Sequence, residues 1–303
     1  MDFFDRCSNN LAYKDLEESN GDKQHLLYIE IRKVLKRYYS SPIDMTRFFI
    51  DPTNEKHCWY HEEIDFLKYG LNWEQALHVL YSVYADCPLL FFSDIYKAGG
   101  DPGKGIIIPV VDNDSSRGDF RNYYASKIEE EVVYAASSLP YANKKIEIAK
   151  AVYDLMSLKA SYDFNKARHT GYVDIPSHSI LGYVRSKCAV CEGFSKTYQV
   201  FMNYLGLPTV TVSGMLFQDD EQKIKSGNHA RNITYLSDEK RWIMVDPTEG
   251  IVSKDNRGFD ISPHSKHYRR LTQEEKKQYE SNMYSPSFDG IWFGYKKSVD
   301  NSL

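Results

Sequence analysis

The segment CEGFSKTYQVFMNYLG, from Cys191 to Gly206, constrains the fold of this chain more than any other. Its apolar residues recur at i, i+4, i+7, i+8 and i+11, which predicts an amphipathic helix with one buried face. Gly206 and Pro208 end that helix, because glycine favours the position after a helix and proline cannot continue one. Cys191 therefore lies at or just before a helix N-terminus. The apolar positions are Phe194, Tyr198, Phe201, Met202 and Leu205.

Strand-like runs follow this helix. They are TVTVSGML at 209–216, HARNITYL at 229–236 and RWIMVDPT at 241–248. The turn SDEK at 237–240 predicts an antiparallel hairpin of the last two, with residue 229 opposite about residue 248.

The earlier part of the chain reads mainly as helices. The spacing of apolar residues predicts helices over 25–39, 73–86 (capped by Asn72), 123–138 and 144–158. We expect residues 1–24 to be loosely ordered. PLLFFSDIY reads as a strand or a buried extended segment, and AGGDPGKGIIIPVV after it as a hairpin turn and a strand. NDSSRGDF at 113–120 is the best candidate linker.

This order of elements, helices first and antiparallel strands last, indicates an α+β fold. At about 150 residues per domain, a chain of 303 residues makes one large domain or two modest ones. We expect a mainly helical N-terminal region at 1–135 and a second domain at 136–303, in which the Cys-bearing helix packs on an antiparallel sheet.

Charge and composition exclude several classes of protein. With 38 Lys and Arg against 42 Asp and Glu, the net charge is −4, which argues against a nucleic-acid binder or a protein that adheres to anionic membranes. With no apolar run of transmembrane length and no apolar segment near residue 1, we expect neither a membrane-spanning helix nor a signal peptide. Because five scattered cysteines form no disulfide framework, we expect a cytoplasmic protein, with export by a signal-less route left open.

Three residues could form a catalytic constellation. At a helix N-terminus, the partial positive charge favours a thiolate at Cys191, and the free N–H groups can receive an oxyanion. A thiolate nucleophile needs a base, and the base needs an orienting partner. His229 and Asp246 would lie near the same end of the predicted hairpin, although the sequence does not fix which face each occupies. We therefore predict a Cys–His–Asp triad.

Three motifs in order carry a resemblance to a known family. They are KCAVCEGFSKTYQVFMNYLG, NHARN and WIMVDPTEG, and upstream YDFNKA, KKIEIAKAVYDLM and YADCPLLFF add to them. Together they resemble the transglutaminase-like superfamily of papain-related cysteine enzymes, most closely its bacterial branch, with C-x-G-[FY], H-A-x-N and V-D-P-T motifs. The resemblance covers roughly 75–295. Arg231 and Glu249 depart from it, since members often have tryptophan at the first position and an aromatic residue at the second.

The resemblance implies a papain-like core with Cys191 as nucleophile, His229 as general base and acid, and Asp246 as the residue that orients His229. It also implies acyl transfer through a thioester. We expect hydrolysis of peptide or side-chain amides of a protein or peptide substrate. A protein-crosslinking transglutaminase is the alternative enzyme, and a non-catalytic peptide-binding module is the alternative of another class. The paired zinc motifs of peptide N-glycanases and a calcium loop are absent from the sequence, so no cofactor or metal is expected. The oligomeric state cannot be read from the sequence.

Other residues have competing interpretations. Cys188 forms C-x-x-C with Cys191, which fits a bystander better than a redox pair or half of a zinc site. The run HCWYH at 57–61 could ligate a metal, but a helix start with aromatic packing is favoured. The basic cluster at 266–270 reads as a solvated face, and Asn232 begins a formal glycosylation sequon. Tyr162 and Tyr172 are candidates for a second oxyanion donor.

Overall fold

A computed structural model describes residues 1–20, 22–45, 48–51, 56–167, 175–215 and 228–261. The chain divides into two compact units. One holds residues 10–131, and the other holds residues 1–9 together with the chain from residue 132. Among the described residues, no helix is both long enough and apolar enough to span a membrane.

Helices of the unit at 10–131 pack around a buried carboxylate. They are α2 (Leu11–Asn20), α3 (Asp22–Tyr39) and α4 (Trp73–Asp86). Asp86 is fully buried and accepts from the backbone N–H groups of Ala12 and Tyr13 and from the hydroxyl of Tyr28. Asn72 caps α4 in a capping box with Gln75, so the helices predicted at 25–39 and 73–86 are both confirmed.

A five-stranded antiparallel sheet completes this unit. Its strands are β1 (Phe48–Asp51), β2 (Lys56–Tyr60), β3 (Ile64–Asp65), β4 (Ser93–Asp101) and β5 (Ile106–Val111). The strand order is β1–β2–β5–β3, and β4 also pairs with β5. The hairpin predicted after Ala98 is confirmed, and Gly105 in its turn has a φ of +72°, which favours glycine. The expected helix start in HCWYH is wrong, because β2 pairs with β1 and β5 there.

The segment 113–120 is not a linker. It forms a short turn, in which Ser115 and Ser116 are buried, and then enters helix α5 (Gly118–Ser138). The boundary between the two units falls within this helix, after residue 131. The fully buried guanidinium of Arg121 donates to the carbonyls of Ser115 and Ser116 and to that of Tyr38. Polar residues that look like a linker are therefore held by a buried charge, which the sequence does not reveal.

The second unit contains the Cys-bearing helix and a three-stranded sheet. Its elements, besides the end of α5, are α1 (Phe3–Cys7), α6 (Lys145–Lys159), β6 (Ser161–Tyr162), α7 (Phe164–Ala167), α8 (Ile180–Ser186), β7 (Cys188–Ala189), α9 (Cys191–Tyr204), β8 (Thr209–Met215), β9 (Asn228–Leu236), β10 (Arg241–Val245) and α10 (Pro247–Ser253). The sheet is antiparallel in the order β10–β9–β8, and α9 packs on β8 and β9. The predicted α+β class, with a Cys-bearing helix on an antiparallel sheet, is confirmed.

The N-terminal residues are ordered, contrary to expectation. Phe4 and Cys7 of α1 are buried, and the carbonyl of Cys7 accepts from the side-chain amide of Asn203 at 3.0 Å. Arg6 donates to the carbonyl of Tyr204 and stacks on its ring. This short N-terminal segment is thus held in place by α9, although 196 residues separate Cys7 from Asn203 along the chain.

The hairpin of β9 and β10 has the predicted register, with Val245 opposite Asn232. The strand, however, ends at Val245 rather than continuing to residue 248. Asp246 is the N-cap of α10 and Pro247 is its first residue, a combination that starts a helix because proline needs no N–H there. The structure therefore places Asp246 at a helix start just beyond the strand.

Candidate active site

Cys191 occupies the first position of α9. The N-cap is Val190, whose extended backbone starts the helix without a side-chain hydrogen bond to its first turn. The thiol is partly exposed. A helix N-terminus without a side-chain cap leaves amide donors and partial positive charge beside the sulfur. This position suits a thiolate and a developing oxyanion.

Gly193 allows a second segment to approach the start of α9. A Cβ on Gly193 would lie 2.3 Å from the carbonyl oxygen of Ser177 and 3.0 Å from that of Ser179. The Ser177 carbonyl also accepts from the N–H of Val190 at 3.1 Å. The glycine in C-x-G-[FY] is therefore required by packing, because backbone atoms cannot move aside as a side chain can.

His229 lies between Asp246 and Cys191. Its Nε2 is 2.6 Å from Oδ2 of Asp246, and its imidazole is near enough to the Cys191 side chain to interact with it electrostatically. Since Nε2 faces the carboxylate, Nδ1 is the nitrogen that remains for the sulfur. The side chains are 11% exposed for His229 and 1% exposed for Asp246. The structure thus brings together all three residues that the sequence singles out, and their catalytic role stays a prediction.

Asp246 is held in place by the helix that it caps. Its Oδ1 accepts from the backbone N–H groups of Thr248 at 3.1 Å and Glu249 at 3.2 Å, which leaves Oδ2 for the imidazole. Burial alone would lower the pKa of His229, but the Asp246 carboxylate and the Cys191 sulfur outweigh it and raise that pKa to about 10. A protonated imidazole that is held by a carboxylate and lies beside the sulfur is the arrangement that general acid catalysis needs.

Asn232 connects the His-bearing strand to the Cys-bearing helix. Its side-chain amide donates to the carbonyl of Ser195 in α9 at 2.9 Å, and the residue is completely buried. This contact fixes the distance between β9 and α9, and so between His229 and Cys191. It also gives a structural reason for the final asparagine of NHARN. Because Asn232 is buried, the formal glycosylation sequon is inaccessible.

Tyr162 reaches the same point from β6. Its phenol lies close to the backbone N–H and the sulfur of Cys191. Burial, and after it the charge of Cys191, raise the pKa of Tyr162 above its usual value. Tyr172, the other tyrosine considered from the sequence, lies outside the described residues.

A charged network beside the nucleophile was not predicted. The carboxylate of Glu192, whose side chain is 12% exposed, is 2.8 Å from Nζ of Lys196 and 3.0 Å from Nδ1 of His178. Burial would raise the pKa of Glu192, but these two partners outweigh it and lower that pKa to about 2. The i, i+4 spacing of Glu192 and Lys196 was a readable signal, whereas nothing in the sequence pairs His178 with them.

The remaining candidates contribute little to this site. Cys188 lies on β7 as a partly exposed free thiol. Among the described residues, no three His, Cys, Asp or Glu side chains are grouped so as to hold a metal ion. Of the two departures from the family pattern, Arg231 is buried in β9, and Glu249 lies in the first turn of α10. The basic cluster at 266–270 lies outside the described residues.

Part of the chain is similar to a known protein family, and larger parts are similar to solved structures. Residues 134–247 match the family model of the transglutaminase-like superfamily. No curated protein matches the chain. A crystal structure of a TGase is similar over 67% of this chain and 61% of its own, with 19% identity and a TM-score of 0.35. The periplasmic domain of TgpA from Pseudomonas aeruginosa is similar over 52% of this chain and 58% of its own, with 13% identity and a TM-score of 0.31.

The chain therefore covers less than two thirds of either solved structure. The family match includes the Cys-bearing helix, the His-bearing strand and the Asp cap, which are the elements that build the site. Residues 134–247 of this chain are therefore similar to the transglutaminase-like superfamily.

Proposed function

We propose that this chain is a cysteine-dependent acyl-transfer enzyme that hydrolyses peptide or side-chain amides of a protein or peptide substrate. The observation that carries the proposal is the position of His229, which hydrogen-bonds to Asp246 through Nε2 and lies near enough to Cys191 to interact with it electrostatically. Cysteine, histidine and carboxylate in this order are the parts of a thiol acyl-transfer triad.

In the first step the sulfur of Cys191 attacks the amide carbonyl. A carbon–sulfur bond forms while the carbonyl π pair moves to oxygen, and the N–H of Cys191 can donate to that oxyanion. When the oxyanion collapses, Nδ1 of His229 gives its proton to the leaving nitrogen, and the C–N bond breaks. The products are a thioester on Cys191 and a free amine or ammonia.

In the second step water hydrolyses the thioester. The neutral imidazole of His229 takes a proton from water as it attacks, and the Cys191 sulfur leaves. Asp246 keeps the imidazole in one tautomer and orientation through both steps, because its Oδ2 holds Nε2. An amine that attacks in place of water would give the crosslinking product of a transglutaminase.

The test uses N,N-dimethylcasein as acyl donor and measures products with the purified full chain. New amino termini would report peptide hydrolysis, released ammonia would report side-chain hydrolysis, and incorporation of dansylcadaverine would report amine transfer. We expect hydrolysis that is lost in Cys191→Ala and His229→Ala and retained in Cys188→Ala, the matched cysteine control.

If amine incorporation exceeds hydrolysis, the chain is a transglutaminase and the proposed hydrolase function is wrong. Binding of the casein without any of the three products, and with no thioester trapped on Cys191, would favour the non-catalytic module. Activity that survives in Cys191→Ala would refute the proposed nucleophile.

A further inference from the structure

Two acidic groups stand side by side in the first turn of α9. Cys191 is the first residue of the helix and Glu192 is the second. A helix N-terminus favours negative charge, and its free N–H groups attract a carboxylate as readily as a thiolate or an oxyanion. An unrestrained Glu192 side chain would therefore compete with the nucleophile for the positive end of its own helix.

Both carboxylate oxygens of Glu192 are engaged by other side chains. Oε1 lies 2.8 Å from Nζ of Lys196, one turn further along α9, and Oε2 lies 3.0 Å from Nδ1 of His178. These partners lower the pKa of Glu192 to about 2, so the carboxylate is ionised at neutral pH. Because an ionised carboxylate only accepts, Nδ1 of His178 carries the proton of that hydrogen bond. The Glu192 and Lys196 side chains are each 12% exposed, so water and salt screen this pair little.

The backbone on either side of His178 is fixed to the same helix start. The carbonyl of Ser177 accepts from the N–H of Val190, the N-cap of α9, at 3.1 Å. That carbonyl oxygen also lies 2.3 Å from the position that a Cβ on Gly193 would take. The imidazole of His178 is therefore presented to Glu192 from a segment that cannot shift without moving the start of α9.

We propose that Lys196 and His178 are positioning residues, which hold the carboxylate of Glu192 away from the positive end of α9 and cancel its charge. The N–H groups and the partial charge of the first turn are then left to the Cys191 thiolate and to the oxyanion that forms after its attack. These two residues exchange no proton with the substrate, so their effect passes through the charge on Cys191. The proposal rests on the function proposed above, because that function requires a thiolate at Cys191.

Other titratable groups act on the sulfur directly. His229 of β9 and Tyr162 of β6 interact with it electrostatically, and Asp246 at the start of α10 holds the imidazole of His229. The charges that act on Glu192 come instead from Lys196 on its own helix and from His178 in the segment before α8. Variants of this second group change the charge beside the sulfur and leave the triad itself intact, so the sign of their effect can be measured separately.

The experiment measures the rate at which iodoacetamide alkylates Cys191 from pH 4 to pH 10, by mass spectrometry under reducing conditions. The variants are Lys196→Met, His178→Leu, Glu192→Gln and the double variant of Glu192→Gln with Lys196→Met. Each replaces a side chain by a neutral one of similar size. The matched control is Lys150→Met, because Lys150 pairs with Asp154 on α6 at the same i, i+4 spacing and at 2.6 Å.

We expect Lys196→Met to move the midpoint of the alkylation profile upwards by about one pH unit, because Glu192 then acts on the thiolate as an uncompensated like charge. His178→Leu should move it in the same direction. Glu192→Gln should move it downwards, since Lys196 is left without its partner, and the double variant should return it close to the wild-type value. Lys150→Met should not move it.

A purely structural network would behave otherwise. It would slow alkylation at every pH without moving the midpoint, and the double variant would be no better than either single one. Either result overturns the proposal. If Lys196→Met does not fold, the downward shift expected of Glu192→Gln still decides, because loss of a structural contact gives no reason for the thiol to ionise more easily.

Failure of the proposed function itself looks different. In that case the wild-type profile of Cys191 would coincide with that of Cys188, and His229→Ala would not change it. If the wild-type profile depends on His229 while the Glu192, Lys196 and His178 variants leave its midpoint in place, the triad stands and only this proposal is wrong.

Discussion

Oδ2 of Asp246 lies 2.6 Å from Nε2 of His229, while Oδ1 of the same carboxylate caps α10. One side chain therefore fixes both the helix start and the imidazole. Because Asp246 is almost completely buried, its charge has to be matched by the protonated imidazole. This relationship makes the stability of the domain depend on the proton of His229.

Asp246→Asn should remove a pH-dependent part of the stability. The pKa of His229 is raised to about 10 from its usual value of 6.5, so its protonated form stabilises the folded state. That stabilisation is complete below about pH 6.5 and is lost as the pH rises to about 10. The comparison is made in a Cys191→Ala background, so that the sulfur does not titrate.

In that background we expect Asp246→Asn to lower the free energy of unfolding by about 3 kcal/mol near pH 6.5, with the difference shrinking towards pH 10. Urea unfolding followed by fluorescence across this range measures it. A difference that stays constant with pH would mean that the imidazole is not charged in the folded protein.

Turnover should decline at alkaline pH, near the pKa of His229. His229 has to carry a proton in order to give it to the leaving amine, and its pKa is raised to about 10. We expect kcat/KM to remain high through pH 9 and to fall near pH 10. An alkaline limit near pH 7 would show that Asp246 does not hold the proton on the imidazole.

Gly193→Ala should disturb the nucleophile through its packing. The added Cβ would meet the carbonyl of Ser177 at 2.3 Å, and that backbone cannot withdraw without moving the start of α9. We expect a loss of about 2 kcal/mol in stability, together with slower alkylation of Cys191. Gly103→Ala is the control, since a Cβ there meets a flexible carboxylate oxygen of Asp101 at 3.3 Å. Equal behaviour of the two variants would contradict the packing argument.

Glu192→Gln should change how the stability of the fold depends on pH in acid. The pKa of Glu192 is lowered to about 2, so its ionised form stabilises the fold above about pH 4.5, and this contribution is lost as the pH falls towards 2. The variant should be about 2 kcal/mol less stable at pH 6, with the gap closing below pH 4. Thermal melts from pH 3 to 6 test this, and a gap independent of pH would argue against the ion pairs with Lys196 and His178.

The elements around the nucleophile could be predicted because their signals are local. The apolar repeat after Cys191 predicts α9, and the four-residue turn at 237–240 sets the register that brings residue 229 towards Asp246. The Asp-Pro pair at 246–247 was also a readable helix start, but the strand pattern before it obscured that signal.

The parts that could not be predicted depend on contacts between distant segments. His178 reaches Glu192 from a loop before α8, and Tyr162 reaches Cys191 because two short strands pair in parallel. The docking of α1 on the far end of α9 likewise joins the two ends of the sequence. Composition and periodicity describe a residue and its neighbours, and they carry no information on such pairings.

Alkylation of Cys191 by iodoacetamide as a function of pH tests the central claim most directly. Cys188 serves as the internal reference, because it is a partly exposed free thiol in the same chain. The rate at each site is measured by mass spectrometry under reducing conditions, in the wild type and in His229→Ala. We predict that Cys191 reacts much faster than Cys188 below pH 7, and that this advantage disappears in His229→Ala. If Cys191 reacts no faster than Cys188 at any pH, the pair of thiolate and imidazolium does not exist and the proposed mechanism is wrong.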